Sequence, residues 1–300
     1  MSPRFPWLFA SLITLATAPA LSAQTPDTTH IRTTPLAGGV YLLQGEGGNI
    51  GVSTGPDGAI MIDDDYAPLT DRVLAAVDQL HSGAIRFVIN THWHGDHTGG
   101  NATLGGRGAL IVAHDNVRQR MSRAQFLAAF NETVPASPPV ALPVITFTDT
   151  LTFYLNADTI QIFHVAPAHT DGDAIIHFRH ANVLHMGDTF FNGLYPFIDA
   201  STGGSLDGMI SAVDQGMAIA DEATQIIPGH GPLATRTDLR RFRDMLATVR
   251  IRILSARRKG LTLEQAMNAH LLDDYNGAWG KGFLTPEQFL MVAWQSLPAR

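Results

Sequence analysis

Cysteine is missing altogether from the 300 residues. No disulfide can brace the fold, and any bound metal must be held by imidazole and carboxylate rather than thiolate. Charge is sparse, at 16% of the chain, and it leans negative: 20 Lys and Arg against 27 Asp and Glu give a formal −7. A field of that sign repels a phosphate backbone, which argues against nucleic acid as a partner. No apolar run approaches the roughly 20 residues that a hydrocarbon core demands, so no integral membrane span is expected. Neither a fixed-period repeat nor a low-complexity tract is present. With 45% hydrophobic residues, what remains is a globular protein able to bury a full core. Histidine, by contrast, is plentiful at 13.

Residues 1–23 read as an address. Arg4 precedes an apolar stretch over 7–18, and the small residues Ala20-Leu21-Ser22-Ala23 lead to Gln24. That is the pattern of a cleaved secretory signal, bacterial and periplasmic in style. About 12 apolar residues are too few for an anchor. The mature chain, 24–300, is expected to form one domain, with 237–300 a helical C-terminal segment.

Short strand-like runs over 40–43, 49–53 and 59–62 flank the turn Gly55-Pro56-Asp57-Gly58. A helical spacing over 69–80 leads to a strand at 87–89, another strand at 109–113 and a helix at 116–130. Beyond the Pro-rich stretch 135–143 come strands at 151–155, 159–165, 174–178 and 183–186. Two sheets covered by helices is the expected architecture.

The chemistry lies at strand ends. The strand at 87–89 runs into His92-Trp93-His94-Gly95-Asp96-His97. In extended chain His92 and His94 point the same way and can grip one ion, and Gly95 lets the chain turn so that Asp96 and His97 face a neighbouring position. His169, Asp188 and His230 each follow a later strand in a glycine-containing turn. Singly, such residues are usually structural. Together the seven partition into two metals: His92, His94 and His169 on one, Asp96, His97 and His230 on the other, with Asp188 bridging and positions left open for water.

This ordered set resembles the metallo-β-lactamase superfamily over nearly the whole mature chain. The resemblance implies an α/β four-layer αββα sandwich of two mixed sheets with a site for two Zn2+ ions at one sheet edge. The phrases THWHGDHTGGN, HMGDTFFNGLYPFID and IIPGHGPL look like a branch of periplasmic hydrolases that includes β-lactamase-like enzymes. The commonest resistance enzymes hold the second zinc with a cysteine, followed by a carboxylate-binding lysine. Here the place holds Asp188, followed by Thr189-Phe190-Phe191-Asn192. That is more like the pattern of glyoxalase II thioesterases and lactonases, although no glutathione-binding tail is recognisable.

The expected function is an exported dizinc hydrolase of an acyl bond, a β-lactam amide or a related ester. Two zincs roughly 3.5–4 Å apart can share and activate one water, making a bridging hydroxide the nucleophile, which Asp96 orients. The partner is then a small molecule with a hydrolysable acyl bond. A lactonase, esterase or thioesterase is the close alternative. A one-iron persulfide dioxygenase or an inactive metal-binding module are the remote ones. Asn192 and Tyr195 are candidate substrate hydrogen-bond donors, although Tyr195 reads better as a packing residue. Glu46 and Phe191 are candidate groove residues. His30, His81, His114, His164, His177, His180, His185 and His270 have no companion ligand and read as structural or solvated.

Nine of the 20 basic residues fall between Arg236 and Lys259. The spacing of Leu239, Phe242, Leu246, Val249 and Ile253 predicts a long amphipathic helix capped by Thr237 and ended by Gly260. Arg236, Arg243, Arg250 and Arg257 form a basic stripe on it, read as a solvated face with an anionic membrane surface or partner as the alternative. Thr262 and Thr285-Pro286 start two further helices.

Overall fold

The computed structural model describes residues 30–81 and 83–298, so the expected signal segment lies outside the described residues. A first sheet collects β1 (Arg32–Pro35), β2 (Val40–Gln44), β3 (Ile50–Ser53), β4 (Ala59–Ile62), β5 (Ile85–Ile89) and β6 (Leu110–His114). A small hairpin of β7 (Gln125–Leu127) and β8 (Glu132–Val134) follows, and β9 (Ile145–Phe147) completes the first sheet beside β6. Pairing is antiparallel from β1 to β4 and parallel from β4 to β9. The second sheet runs β10 (Thr150–Leu155), β11 (Asp158–His164), β12 (Ala174–Phe178), β13 (Val183–His185) and β14 (Gln225–Ile227), antiparallel except for its last pair.

Alternation along the strands explains the layering. Leu42, Ile60 and Ile62 share one core with Ile160, Ile162, Ile176 and Ile227 of the facing sheet. Their chain neighbours Leu43 and Met61 point outward onto Val73, Leu74 and Val77 of α1 (Thr70–Asp78). On the far side Ile175, Leu184 and Ile226 join a core with α5 (Leu206–Ile219), α6 (Arg236–Arg258) and α9 (Pro286–Ser296). A period of two sends successive side chains to opposite faces, so two doubly buried sheets need a helical layer on each outer side. The result is the expected helix–sheet–sheet–helix sandwich. Short helices α2 (Gly95–Thr98), α3 (Asn101–Gly106) and α4 (Asp115–Met121) follow β5 and β6, and α7 (Leu263–Asn268) and α8 (Asp273–Trp279) lie between α6 and α9. No helix among the described residues is long and apolar enough to cross a membrane.

Two local expectations are corrected. The helix expected over 116–130 stops at Met121, because the Gln125 side chain donates to the Arg120 and Arg123 carbonyls and the chain turns into the β7–β8 hairpin. The long helix is capped by Thr235, not Thr237: Thr235 and Asp238 form a reciprocal capping box. Helices α5 and α8 carry no clear sequence signature, α5 because glycines at 208 and 216 interrupt it.

Against α6, the basic stripe meets an acidic one. Arg250 pairs with Asp207, Arg243 with Asp214 at 3.0 Å and Arg236 with Glu222 at 3.0 Å, which ties α5 and its following turn antiparallel to α6. Arg257 instead donates to the carbonyls of Trp294 and Pro298 at the end of α9.

Candidate metal centre

Four strand ends on the two sheets converge at one edge. After β5, His92 lies in a bend rather than the extended chain expected, His94 has extended backbone at the start of α2, and α2 carries Asp96 and His97. His169 follows β11, Asp188 sits in a one-turn helix after β13, and His230 follows β14. All seven expected ligands are brought together. Three sets of donor atoms each fall within 4.8 Å of one another: His92, His94 and His169; His92, His97 and Asp188; and Asp96, His97 and His230. Asp188 is central, with carboxylate oxygens 3.0 Å from His97 Nε2, 3.4 Å from His230 Nε2, 3.5 Å from His169 Nε2 and 3.9 Å from His92 Nε2. None of the eight histidines read as structural belongs to these sets.

Hydrogen bonds on the outer side of the imidazoles decide which nitrogen faces inward. His97 donates from Nδ1 to Asp63 Oδ2 at 2.8 Å, His169 from Nδ1 to the Phe197 carbonyl at 2.8 Å, and His94 from Nε2 to Asp199 Oδ2 at 3.3 Å. Thr91 donates its hydroxyl to Asp63 at 2.8 Å, so it must accept from His92 Nδ1 at 3.0 Å. In the neutral ring each inner nitrogen is thereby left with a lone pair, as metal ligation needs.

The inner atoms fit a cation. His92 Nε2 and Asp188 Oδ1 are buried with no hydrogen-bond partner, an arrangement rarely tolerated without a further occupant. His94 Nδ1 and His169 Nε2 face each other at 2.8 Å, and His97 Nε2 and His230 Nε2 at 3.4 Å. Titration points the same way. Burial alone would lower His97 and His230, yet the carboxylates of Asp188 and Asp96 outweigh it, raising His97 well above its usual value and His230 to about 9. Burial would raise Asp96 and Asp188, but the imidazolium of His97 outweighs it, holding Asp96 at about 2 and Asp188 well below the usual carboxylate value. Protons thus stand where cationic charge is called for. Burial pushes His169 down to about 4 and His92 well below the ordinary imidazole value. These two stay neutral, ready to donate to a soft or borderline divalent ion.

Two glycines permit the close approach. A Cβ on Gly48 would lie 2.1 Å from His97 Cε1, and one on Gly229 would lie 2.0 Å from Asp188 Oδ1. Sequence reasoning missed both, and it missed the outer carboxylates. Asp63, at a positive φ of 62°, follows β4 in Asp63-Asp64-Asp65, three wholly buried carboxylates. Three acids closing an apolar strand were the available signal, since buried acids need partners.

The cluster opens into a cleft of about 470 Å3 lined by Glu46, Tyr66, Trp93, Leu127, Phe130, Glu132, Val134, Phe197 and Phe283 besides the site residues. Glu46 takes the expected place in the groove. Phe191 is buried beneath it, stacked on the His230 ring at 5.2 Å. The two candidate donors turn elsewhere: Tyr195 donates to Asn276 and stacks on Phe289, and Asn192 donates to the Pro232 carbonyl.

Comparison with known proteins agrees with this geometry. The sequence profile of the metallo-beta-lactamase superfamily matches residues 33–236. A hydroxyacylglutathione hydrolase of Nitrosococcus oceani is 30% identical over 166 residues, 54% of this chain and 55% of that one. A metallo-beta-lactamase type 2 of Bacteroides fragilis is 24% identical over 156 residues, 51% and 56% of the two chains. The chain thus spans about half the length of these curated relatives. A solved metallo-beta-lactamase from Pontibacter korlensis superposes with a TM-score of 0.61 at 17% identity, covering 73% of this chain and 99% of its own.

Proposed function

Because the chain belongs to the metallo-β-lactamase superfamily, whose members are generally hydrolases, we propose that it is an exported dizinc hydrolase of acyl bonds. The observation that carries this is Asp188, whose carboxylate reaches inner nitrogens of both triads. Two metal positions sharing one carboxylate, beneath an open cleft, suit hydrolysis better than structural ligation. The names of its relatives, a hydroxyacylglutathione hydrolase and a metallo-beta-lactamase, are compatible with that reading.

His92, His94 and His169 would hold one ion, Asp96, His97 and His230 the other, with Asp188 between them. Such ions supply, when bound, a water acidified toward neutrality and a Lewis acid for the substrate carbonyl. The chain supplies the rest. The acyl carbon–heteroatom bond breaks, hydroxyl is added to the carbon and a proton to the leaving group. Asp96, partly exposed to the cleft and 3.2 Å from His230 Nε2, is placed to orient water and accept its proton through Oδ2. Asp63 and Asp199 fix the rings of His97 and His94, and Trp93 and Phe197 wall off solvent on one side.

Residues 190–197 offer no lysine for a β-lactam carboxylate, which favours the ester, lactone and thioester side of the acyl class. Elemental analysis of the protein from Gln24, followed by a panel of nitrocefin, carbapenem, acyl-homoserine lactone, aryl ester and thioester, tests the reading. Two zincs and chelator-sensitive turnover are expected. One iron without hydrolysis overturns it.

A further inference from the structure

The cleft beside the ligands has a one-sided chemistry. Its apolar wall is aromatic: Tyr66, Trp93, Phe130, Phe197 and Phe283. Phe130 packs on Phe197 with ring centroids 4.9 Å apart, and Phe283 lies 6.2 Å from the His230 ring. Phe130 and Phe283 nevertheless remain 44% and 54% exposed, a large apolar surface to leave in water without a ligand. Apart from the site histidines its ionisable lining is acidic, Glu46 and Glu132 joining Asp96 and Asp188, with neither Lys nor Arg among the lining residues. Arg120 and Arg123 line a separate cavity of about 270 Å3 that shares Trp93, Gly95 and Val134 as walls, and Arg120 is held there by Asp171 at 2.6 Å.

The charge of bound ions does not reverse this. Two divalent cations carry four positive charges, and four carboxylates meet their ligand set: Asp96 and Asp188 within it, Asp63 and Asp199 behind His97 and His94. With the centre balanced, Glu46 and Glu132 set the sign of the field at the mouth.

We propose that this cleft selects acyl substrates whose non-reacting part is apolar and uncharged or cationic, with Glu46 and Glu132 as the specificity residues that reject anionic ones. The proposal rests on the hydrolase reading and names its substrate class. Leu127, Phe130 and Phe283 bury the apolar part, while the two glutamates repel a carboxylate, sulfonate or phosphate carried on it. The same field aids turnover, because hydrolysis creates a carboxylate inside the cleft and an acidic mouth favours its departure.

The test pairs 4-nitrophenyl butyrate with 4-nitrophenyl hemisuccinate and 4-nitrophenyl 4-(trimethylammonio)butyrate on zinc-loaded protein. Calorimetry on chelator-treated protein with phenylbutyltrimethylammonium and phenylbutanesulfonate accompanies it. At low salt, kcat/KM for the butyrate and the cationic ester should exceed that for the hemisuccinate by about tenfold or more, and the gap should narrow as salt screens it. Glu132→Lys and Glu46→Lys should raise hemisuccinate turnover and lower that of the cationic ester, and the ammonium should bind in preference to the sulfonate. Equal rates on butyrate and hemisuccinate, indifferent to both substitutions, overturn the selectivity and leave the hydrolase reading standing. No turnover of any ester, with the ammonium still preferred and that preference lost in Glu132→Lys, overturns the hydrolase reading and upholds the selectivity. Neither turnover nor ligand preference overturns both.

Discussion

His97 Nδ1 lies 2.8 Å from Asp63 Oδ2, with both side chains wholly buried. The same carboxylate accepts the Thr91 amide at 2.7 Å and the Thr91 hydroxyl at 2.8 Å. One residue just past β4 thus orients the ring of His97 directly and that of His92 through Thr91, although the two imidazoles are proposed to serve different ions. Replacing it with Asn or Ala should weaken metal retention about 10- to 100-fold. Metal titration with a chromophoric chelator checks this, and unchanged affinity in Asp63→Ala would remove the positioning role.

Asp96 and Asp188 differ in what they do besides meeting a cation. Asp188 is buried and central, whereas Asp96 is 19% exposed in its side chain and faces the cleft. Asp96→Ala should fold and keep ions at the His92 triad but lose nearly all turnover, on the order of 100-fold or more. Circular dichroism, metal content and ester hydrolysis together read this out. Wild-type turnover would reject the role given to Asp96.

Much of this centre was legible in the chain because ligand chemistry is residue-specific. Imidazoles two apart, a glycine turn, and single His or Asp residues just past later strands mark candidate ligands without any knowledge of tertiary contacts, and the structure brings those residues together. Asp63 and Asp199 escaped notice because an acid in sequence, whether in the run 63–65 or alone at 199, does not reveal which buried N–H it will meet. Strand positions followed from alternation and turn residues. The β7–β8 hairpin was hidden by Phe126 and Phe130, which read as a continued helix until their exposure is seen. The basic stripe was readable on α6, yet its partners lie on and just beyond α5, whose glycines conceal it.

Removal of metal should be felt in stability as well as activity. His92 Nε2 and Asp188 Oδ1 make no hydrogen bond without a cation, and the pairs at 2.8 and 3.4 Å hold imidazole nitrogens face to face. An ion present at a thousand times its dissociation constant stabilises the folded state by about 4 kcal/mol. Chelator treatment should therefore lower the melting temperature, and zinc should restore it. A melting curve indifferent to both would contradict the metal assignment.

His185 gives a pH dependence separate from ligation. It is wholly buried, donating from Nε2 to the Asn49 carbonyl at 3.1 Å and accepting the Gly187 amide at 3.2 Å, and burial pushes it down to about 4. The unfolded imidazole titrates near 6.5. Between those values the unfolded chain takes up a proton that the folded chain refuses, so stability is lost as pH falls from about 6.5 to about 4. One such group contributes on the order of 3 kcal/mol across the window. Urea unfolding of chelator-treated protein at several pH values should show a shallower acid limb for His185→Gln than for wild type. Identical limbs would mean that other groups carry it.

The stripe on α6 should behave as an internal fastening rather than a docking face. Arg243 and Asp214 are both substantially exposed, and pairs of that kind contribute about 0–1 kcal/mol, so Arg243→Gln should change stability little. Arg236 also donates from Nε to the Ala220 carbonyl at 2.9 Å, closing the end of α5, so Arg236→Ala should cost more, about 1–2 kcal/mol. With acidic partners along it, the stripe should not retain the protein on anionic vesicles at low salt. Sedimentation with such vesicles decides the matter, and salt-sensitive retention abolished by Arg243→Glu would reinstate a membrane role.

The superfamily match ends at residue 236, yet the helices beyond it share a core with the second sheet. Leu239, Phe242, Leu246, Val249 and Phe289 belong to the same buried cluster as Ile175, Leu184 and Ile226, and Tyr195 stacks on Phe289 with ring centroids 4.4 Å apart. A chain cut after Thr235 would bare the outer face of that sheet and of α5, at about 1.5–3 kcal/mol for each large side chain uncovered. Against a total stability of roughly 5–15 kcal/mol, that loss is not survivable. The truncated chain should therefore fail to give a cooperative unfolding transition, and Phe289→Ala in the full chain should cost about 3–5 kcal/mol by urea denaturation. A truncated protein that melts cooperatively and still retains zinc would show instead that 237–300 is an accessory segment and not part of the domain.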